Sequence, residues 1–114
     1  MKTQRGWATI IGIVLLLVGL VGFWMNPVLG WFDVNNTHNV VHLLTGAIFL
    51  WAGLAKKAPV KPVNQWLGVI YILVGIVGIV GFFGVLTFLA VNAADNWLHL
   101  VIGVVSAGIG WFAK

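Results

Sequence analysis

Apolar residues in this chain gather into four long runs, over residues 7–25, 40–55, 66–90 and 96–112, with short polar connections between them. At about 1.5 Å of rise per residue, runs of this order match a hydrocarbon core of about 30 Å. The pattern predicts four transmembrane helices near 7–25, 38–55, 65–90 and 95–112. Asn26-Pro27 is expected to stop the first, because proline lacks an N–H and disfavours helix at the residue before it. Lys56-Lys57-Ala58-Pro59 ends the second, and Thr37 and Asp95 are the expected N-caps of the second and fourth. The third run exceeds the bilayer thickness, which implies tilt or an extension beyond it. A cleaved signal peptide is the competing reading of the first run. The run is too long for an h-region and is not followed by a small-x-small cleavage pattern, so it is read as a mature helix.

Within the runs, small and polar residues recur at helical spacing. Asn39, His42, Gly46, Phe49 and Gly53 alternate steps of three and four, as do Asn96, His99, Gly103, Ser106 and Gly110. Gly12, Leu15, Gly19 and Gly22 form a similar stripe, as do Gly68, Tyr71, Gly75 and Gly78, with Gly81 and Gly84 beyond. In lipid, small residues let helix backbones approach closely, so each stripe is a packing seam. The seams are also duplicated. Asn39-x-x-His42-Leu-x-x-Gly46 recurs 57 residues later as Asn96-x-x-His99-Leu-x-x-Gly103, and the preceding glycines recur at an offset of 56. The expected fold is therefore all-α: one domain, residues 1–114, forming a four-helix transmembrane bundle of two repeated hairpins, about 1–57 and 58–114. The hairpins are expected to meet through their glycine seams, around a pseudo-twofold axis along the membrane normal.

Charge adds an orientation. Lys2 and Arg5 precede the first run, Lys56, Lys57 and Lys61 separate the second from the third, and Lys114 ends the chain. Asp33 and Asp95 lie in the alternate connections, which hold no Lys or Arg. Basic loops stay in the cytoplasm, so both termini are placed there and the protein in the plasma membrane. Trp7, Trp51, Trp66 and Trp111 fall at the expected cytoplasmic ends and Trp24, Trp31 and Trp97 at the outer ends, as interfacial anchors. Charged residues are only 7% of 114, far below the roughly one quarter of a soluble domain, and mean hydropathy is +1.09. Six dispersed basic residues make no patch, so nucleic acid is excluded as a partner. Expected partners are the lipid bilayer and other membrane subunits or a second copy of the chain.

Little chemistry is on offer. Cysteine and glutamate are absent, the two aspartates lie in separate connections, and Ser106 has no base in reach. No enzyme and no metal site are expected. His42 and His99 are the ionisable residues inside the predicted spans, one turn below the outer surface and on the seams. They are expected to exchange structural hydrogen bonds with Asn39, Asn96 and backbone groups. Their alternative role is cofactor binding, since two imidazoles at matching depth are able to ligate a haem, and one a chlorophyll-like pigment.

At these residues the chain resembles a family of small four-helix bacterial membrane proteins catalogued as a domain of unknown function. The resemblance rests on the paired Asn-x-x-His-Leu-x-x-Gly motifs and covers nearly the whole chain, with His38 in the first copy where the second has Asp95. It implies a fold and a membrane location, and no activity. The functional expectation is a non-enzymatic structural or accessory subunit of a membrane complex. The alternatives are a haem or pigment carrier using His42 and His99, and a small oligomeric transporter or channel.

Overall fold

The computed structural model describes residues 2–81, 84 and 87–114, with Phe88 by its backbone alone. Among these, four α-helices follow one another with no β-strand: α1 (Lys2–Val21), α2 (Asn36–Leu54), α3 (Val60–Val80) and α4 (Ala93–Phe112). A short 3-10 turn, Thr87–Leu89, precedes α4. Two of the helices, α1 and α3, are long and apolar enough to cross a membrane.

The second and fourth helices lie within two residues of their expected bounds, and the other two are displaced. α1 takes in Lys2 and Arg5 and ends at Val21, before Asn26-Pro27 is reached. α3 begins at Val60 and ends at Val80, where Gly81 at φ 79° closes the last turn through an N–H to Val77 O. That left-handed conformation suits glycine at a helix C-terminus, so Gly81 is a stop and not the seam residue its spacing suggested. The rest of the expected third helix includes residues 82, 83, 85 and 86, which lie outside the described residues. The caps also move. Asn35, not Thr37, accepts from the His38 N–H to start α2. Asn92 starts α4 in a capping box with Asp95, which holds the third helical position and not the cap.

The seam residues face inward as their spacing requires, and they close each hairpin on itself. A Cβ on Gly12 would stand 2.6 Å from Leu50 N and 2.9 Å from Gly46 O. Its counterpart Gly68 lies against the Ala107 N–H and would place a Cβ 2.9 Å from Gly103 O. Gly19 would meet Asn39 O and Gly75 would meet Asn96 O, each at 2.9 Å. Gly53 packs on Thr9 where Gly110 packs on Gln65. The same residue pairs meet at the same repeat positions, so the duplication written in the sequence is reproduced contact by contact. The expectation that these seams join the two hairpins is corrected: they join α1 to α2 and α3 to α4. The glycines are consumed by the close antiparallel approach within a hairpin.

Larger side chains fill the space between hairpins. Ile11, Leu15, Phe49, Tyr71 and Ile102 belong to one buried cluster. Toward the termini the interface becomes polar. Gln4, fully buried, donates to Ile109 O at 2.7 Å and Ala113 O at 3.1 Å. Asn64 donates to the Gln4 side-chain oxygen at 2.8 Å and to its backbone oxygen at 3.0 Å. Arg5 reaches the end of α2, donating to Ala52 O and Ala55 O at 2.8 and 2.7 Å. Helix C-termini leave carbonyls without intrahelical partners, and Gln4 and Arg5 take some of them, among them Ala55 O and Ala113 O. Trp7 is half-buried, and its indole N–H donates to Ser106 Oγ at 2.8 Å. It therefore ties the two hairpins together, which the anchor role expected of it left out. The other six tryptophans are exposed.

Candidate functional site

The opposite end of the interface holds three histidines. His38 and His42 are one helical turn apart on α2, a spacing that puts both side chains on one face. His99 comes from the same level of α4, so the group draws on both hairpins. Ring centroids are 4.3 Å apart for His38 and His42, 5.4 Å for His38 and His99, and 5.9 Å for His42 and His99. Each side chain offers a ring nitrogen, and the three nitrogens lie within 4.8 Å of one another. All three residues are buried, with 1–2% of their surface exposed.

These imidazoles lack partners. Both ring nitrogens of His38 and of His42, and Nδ1 of His99, make no hydrogen bond. The Leu89 backbone faces His38 outside hydrogen-bonding geometry. The expectation of structural hydrogen bonds to the neighbouring asparagines is thus overturned. Asn39 instead lies over Gly22, just past the end of α1, and Asn96 over Gly78 of α3, where each amide fills the space a Cβ would take. Their own Oδ1 atoms are unpartnered as well. The helix-start N–H groups are no help to the imidazoles, since Asn35 and Asn92 already accept from His38 N and Asp95 N.

A cavity of about 40 Å³ lies among His38, His42, His99, Thr45 and Tyr71, walled by Val41, Ile70, Val74 and Leu89. Thr45 Oγ1 and Tyr71 OH are paired across it at 2.7 Å, and the Tyr71 ring stands 5.6 Å from that of His99. This space accommodates an ion with a water, whereas pockets for cofactors and drug-sized ligands run to about 300–1,000 Å³. An open groove of about 500 Å³ near Asp33, Gly78 and Thr87 has no histidine in its lining. Sequence reasoning paired His42 with His99 and treated His38 only as the counterpart of Asp95. The signal for the third member was its i,i+4 spacing to His42.

The family model described as Domain of unknown function (DUF4383) matches residues 5–112, and the chain belongs to that family. Comparison with curated proteins and with solved structures returned no match.

Proposed function

We propose that this DUF4383 member is a non-enzymatic integral membrane protein, a structural or accessory component that crosses the bilayer four times with both termini in the cytoplasm. One observation carries the reading: the chain is inside out. Large apolar side chains are exposed on all four helices, among them Leu17 on α1, Leu44 on α2, Leu73 on α3 and Val101 on α4, each 54–60% exposed. Gln4, Asn64, Asn39, Ser106 and the three histidines are buried. A water-soluble bundle has the reverse distribution, and helices whose apolar faces point outward are matched to lipid. The same holds for α2 and α4, whose polar residues His38, Asn39, His42, Asn96, His99 and Ser106 all lie on the buried face.

A channel through a single copy is disfavoured by the apolar cluster of Ile11, Leu15, Phe49 and Ile102 between the two polar ends. A haem or chlorophyll carrier is disfavoured by the size of the space beside His42 and His99. The chain has no cysteine, so single substitutions provide unique thiols. With an impermeant thiol reagent on intact cells, Asn36→Cys and Ala93→Cys should label, while Lys57→Cys and Lys114→Cys should label only after lysis. Equal labelling at positions 36 and 57 would defeat the α2 span, and the reversed pattern would defeat the orientation.

A further inference from the structure

We propose that His38, His42 and His99 bind one transition-metal cation, Zn(II) or copper, and that the ion clamps the two hairpins together. The donor set selects the class of metal. Three imidazole nitrogens suit Zn(II) and copper, whereas Ca²⁺ and Mg²⁺ require oxygen ligands. In a tetrahedral zinc site with bonds of 2.0–2.1 Å, ligand nitrogens lie roughly 3.3 Å apart. The histidine nitrogens, all within 4.8 Å of one another, need only modest side-chain rotation to reach that spacing.

Burial supplies the second argument. An unpartnered polar group held away from water is destabilising, and this cluster holds several within one small cavity. Hydrogen bonds among the imidazoles would relieve some of these atoms, but the three rings bring three ring nitrogens within 4.8 Å of one another. A cation satisfies all three at once. Three protein ligands leave a fourth position, and the Thr45–Tyr71 hydroxyl pair lines the same cavity, where it is placed to hydrogen-bond a metal-held water. Ligating histidines commonly donate their other ring N–H to an oxygen, and unpartnered oxygens of Asn39, Asp95 and Asn96 lie in the same first turns of α2 and α4.

The repeat shows why only one such site is built. His42 and His99 are equivalent positions, so the duplication by itself yields a pair. The third ligand comes from the place where the copies differ, His38 against Asp95. Asp95 is engaged with the Asn92 N–H in its capping box, and His38 is left to turn toward the other two rings.

The test uses full-length protein purified in detergent without a polyhistidine tag, stripped with chelator and equilibrated separately with Zn(II), Cu(II), and Cu(I) under reductant. Elemental analysis should find about one ion per chain with zinc or copper, and X-ray absorption should show nitrogen ligands at about 2.0 Å. His38→Gln, His42→Gln and His99→Gln should each weaken binding by more than about a hundredfold, beyond the roughly 10–100-fold that loss of a supporting residue typically costs. The loaded wild type should melt at a higher temperature than the stripped protein, and the three variants should lose that shift. Melting of the stripped variants near the stripped wild type separates ligand loss from misfolding. Wild-type protein that takes up neither metal and shows no thermal shift overturns the proposal, as does undiminished binding in all three variants.

Discussion

At the end of the bundle that carries both termini, Gln4 and Asn64 are buried and hydrogen-bonded across the hairpin interface, with Gln65 beside them donating to Gly110 O at 3.1 Å. At the other end, His38, His42 and His99 are just as buried, and both ring nitrogens of His38 and His42 and Nδ1 of His99 lack partners. Among the described residues, every unpartnered buried side-chain atom except Asn64 Oδ1 lies in the first two turns of α2 and α4. The polarity of α2 and α4, which carry most of these residues, bears on the contrast, while the antiparallel α1 and α3 bring their own carbonyl ends to the histidine side. The termini end collects the carbonyl ends of α2 and α4, which offer acceptors to any amide or guanidinium in reach. The histidine end collects their N–H ends, and Asn35 and Asn92 have already capped these. At the first end the chain itself satisfies Gln4 and the Asn64 amide N–H. At the second it leaves most of the histidine nitrogens unpartnered, and an outside ligand has a place there.

Both ends depend on the glycine seams that hold α1 to α2 and α3 to α4, so the strongest way to break the comparison is to break a seam. Gly75→Leu should be the most damaging substitution. Its Cβ alone would meet Leu100 Cγ at 2.7 Å and Asn96 O at 2.9 Å, and the second contact is with backbone. Overpacking typically costs 1–3 kcal/mol and occasionally more, and a loss of at least about 3 kcal/mol is expected here. A melting curve in detergent that matched wild type would mean that α3 and α4 are not in close contact.

Periodicity made the seams legible. Steps of three and four named the inward residues of all four helices, and the repeat named their partners by equivalence. It does not say which seam faces which, and the hairpin-to-hairpin pairing expected from it was wrong. Once each glycine face is consumed within its hairpin, Phe49, Tyr71 and Ile102 are left for the interface between hairpins. Helix ends were harder to read, because α1 and α3 stop where Val21 and Val80 yield to turns and not where the apolar run stops. Two of the three histidines of the candidate site were legible as the repeated His42 and His99. His38 was not, since it breaks the repeat, and deviations from a repeat look like noise until the helices are placed. The polar network of Gln4 and Asn64 also went unread, because single amides near the starts of α1 and α3 make no pattern of their own.

Gln4→Leu sharpens the contrast from the satisfied end. It removes donors to Ile109 O and Ala113 O and leaves the Asn64 amide without its side-chain acceptor. Loss of one partner strands the others at about 1–3 kcal/mol per group, so a destabilisation of about 2–3 kcal/mol is expected. Equilibrium unfolding in detergent measures it, and a neutral result would remove this network as a determinant of the hairpin interface.

The caps compare the two hairpins at the histidine end itself. Asn92 accepts from Asp95 N at 2.9 Å and donates to Trp31 O at 2.8 Å, which ties the loop of the first hairpin to the second. Asn92→Ala should cost about 1–2 kcal/mol, near the upper range for a cap. Asn35→Ala should cost about 1 kcal/mol. Thermal unfolding measures both, and an Asn92→Ala variant that melted with wild type would mean that neither the cap nor the tie to Trp31 O adds stability.

The smallest effect on stability is expected where the sequence seemed to promise a structural role. In chelator-stripped protein, His42→Leu replaces an unpartnered buried imidazole by an apolar side chain of comparable bulk. Replacing polar groups that have no bond to lose is close to neutral, and relief of their desolvation is stabilising, so the change should lie between zero and about 1 kcal/mol in favour of the variant. His42 Nδ1 and Nε2 bond to nothing, which leaves no network for the substitution to tear. The same substitution at a hydrogen-bonded histidine would cost about 1–3 kcal/mol instead. Unfolding of the two stripped proteins side by side decides the matter. A clear loss in His42→Leu would mean that the ring makes bonds within the chain after all, and the two ends of the bundle would then be alike.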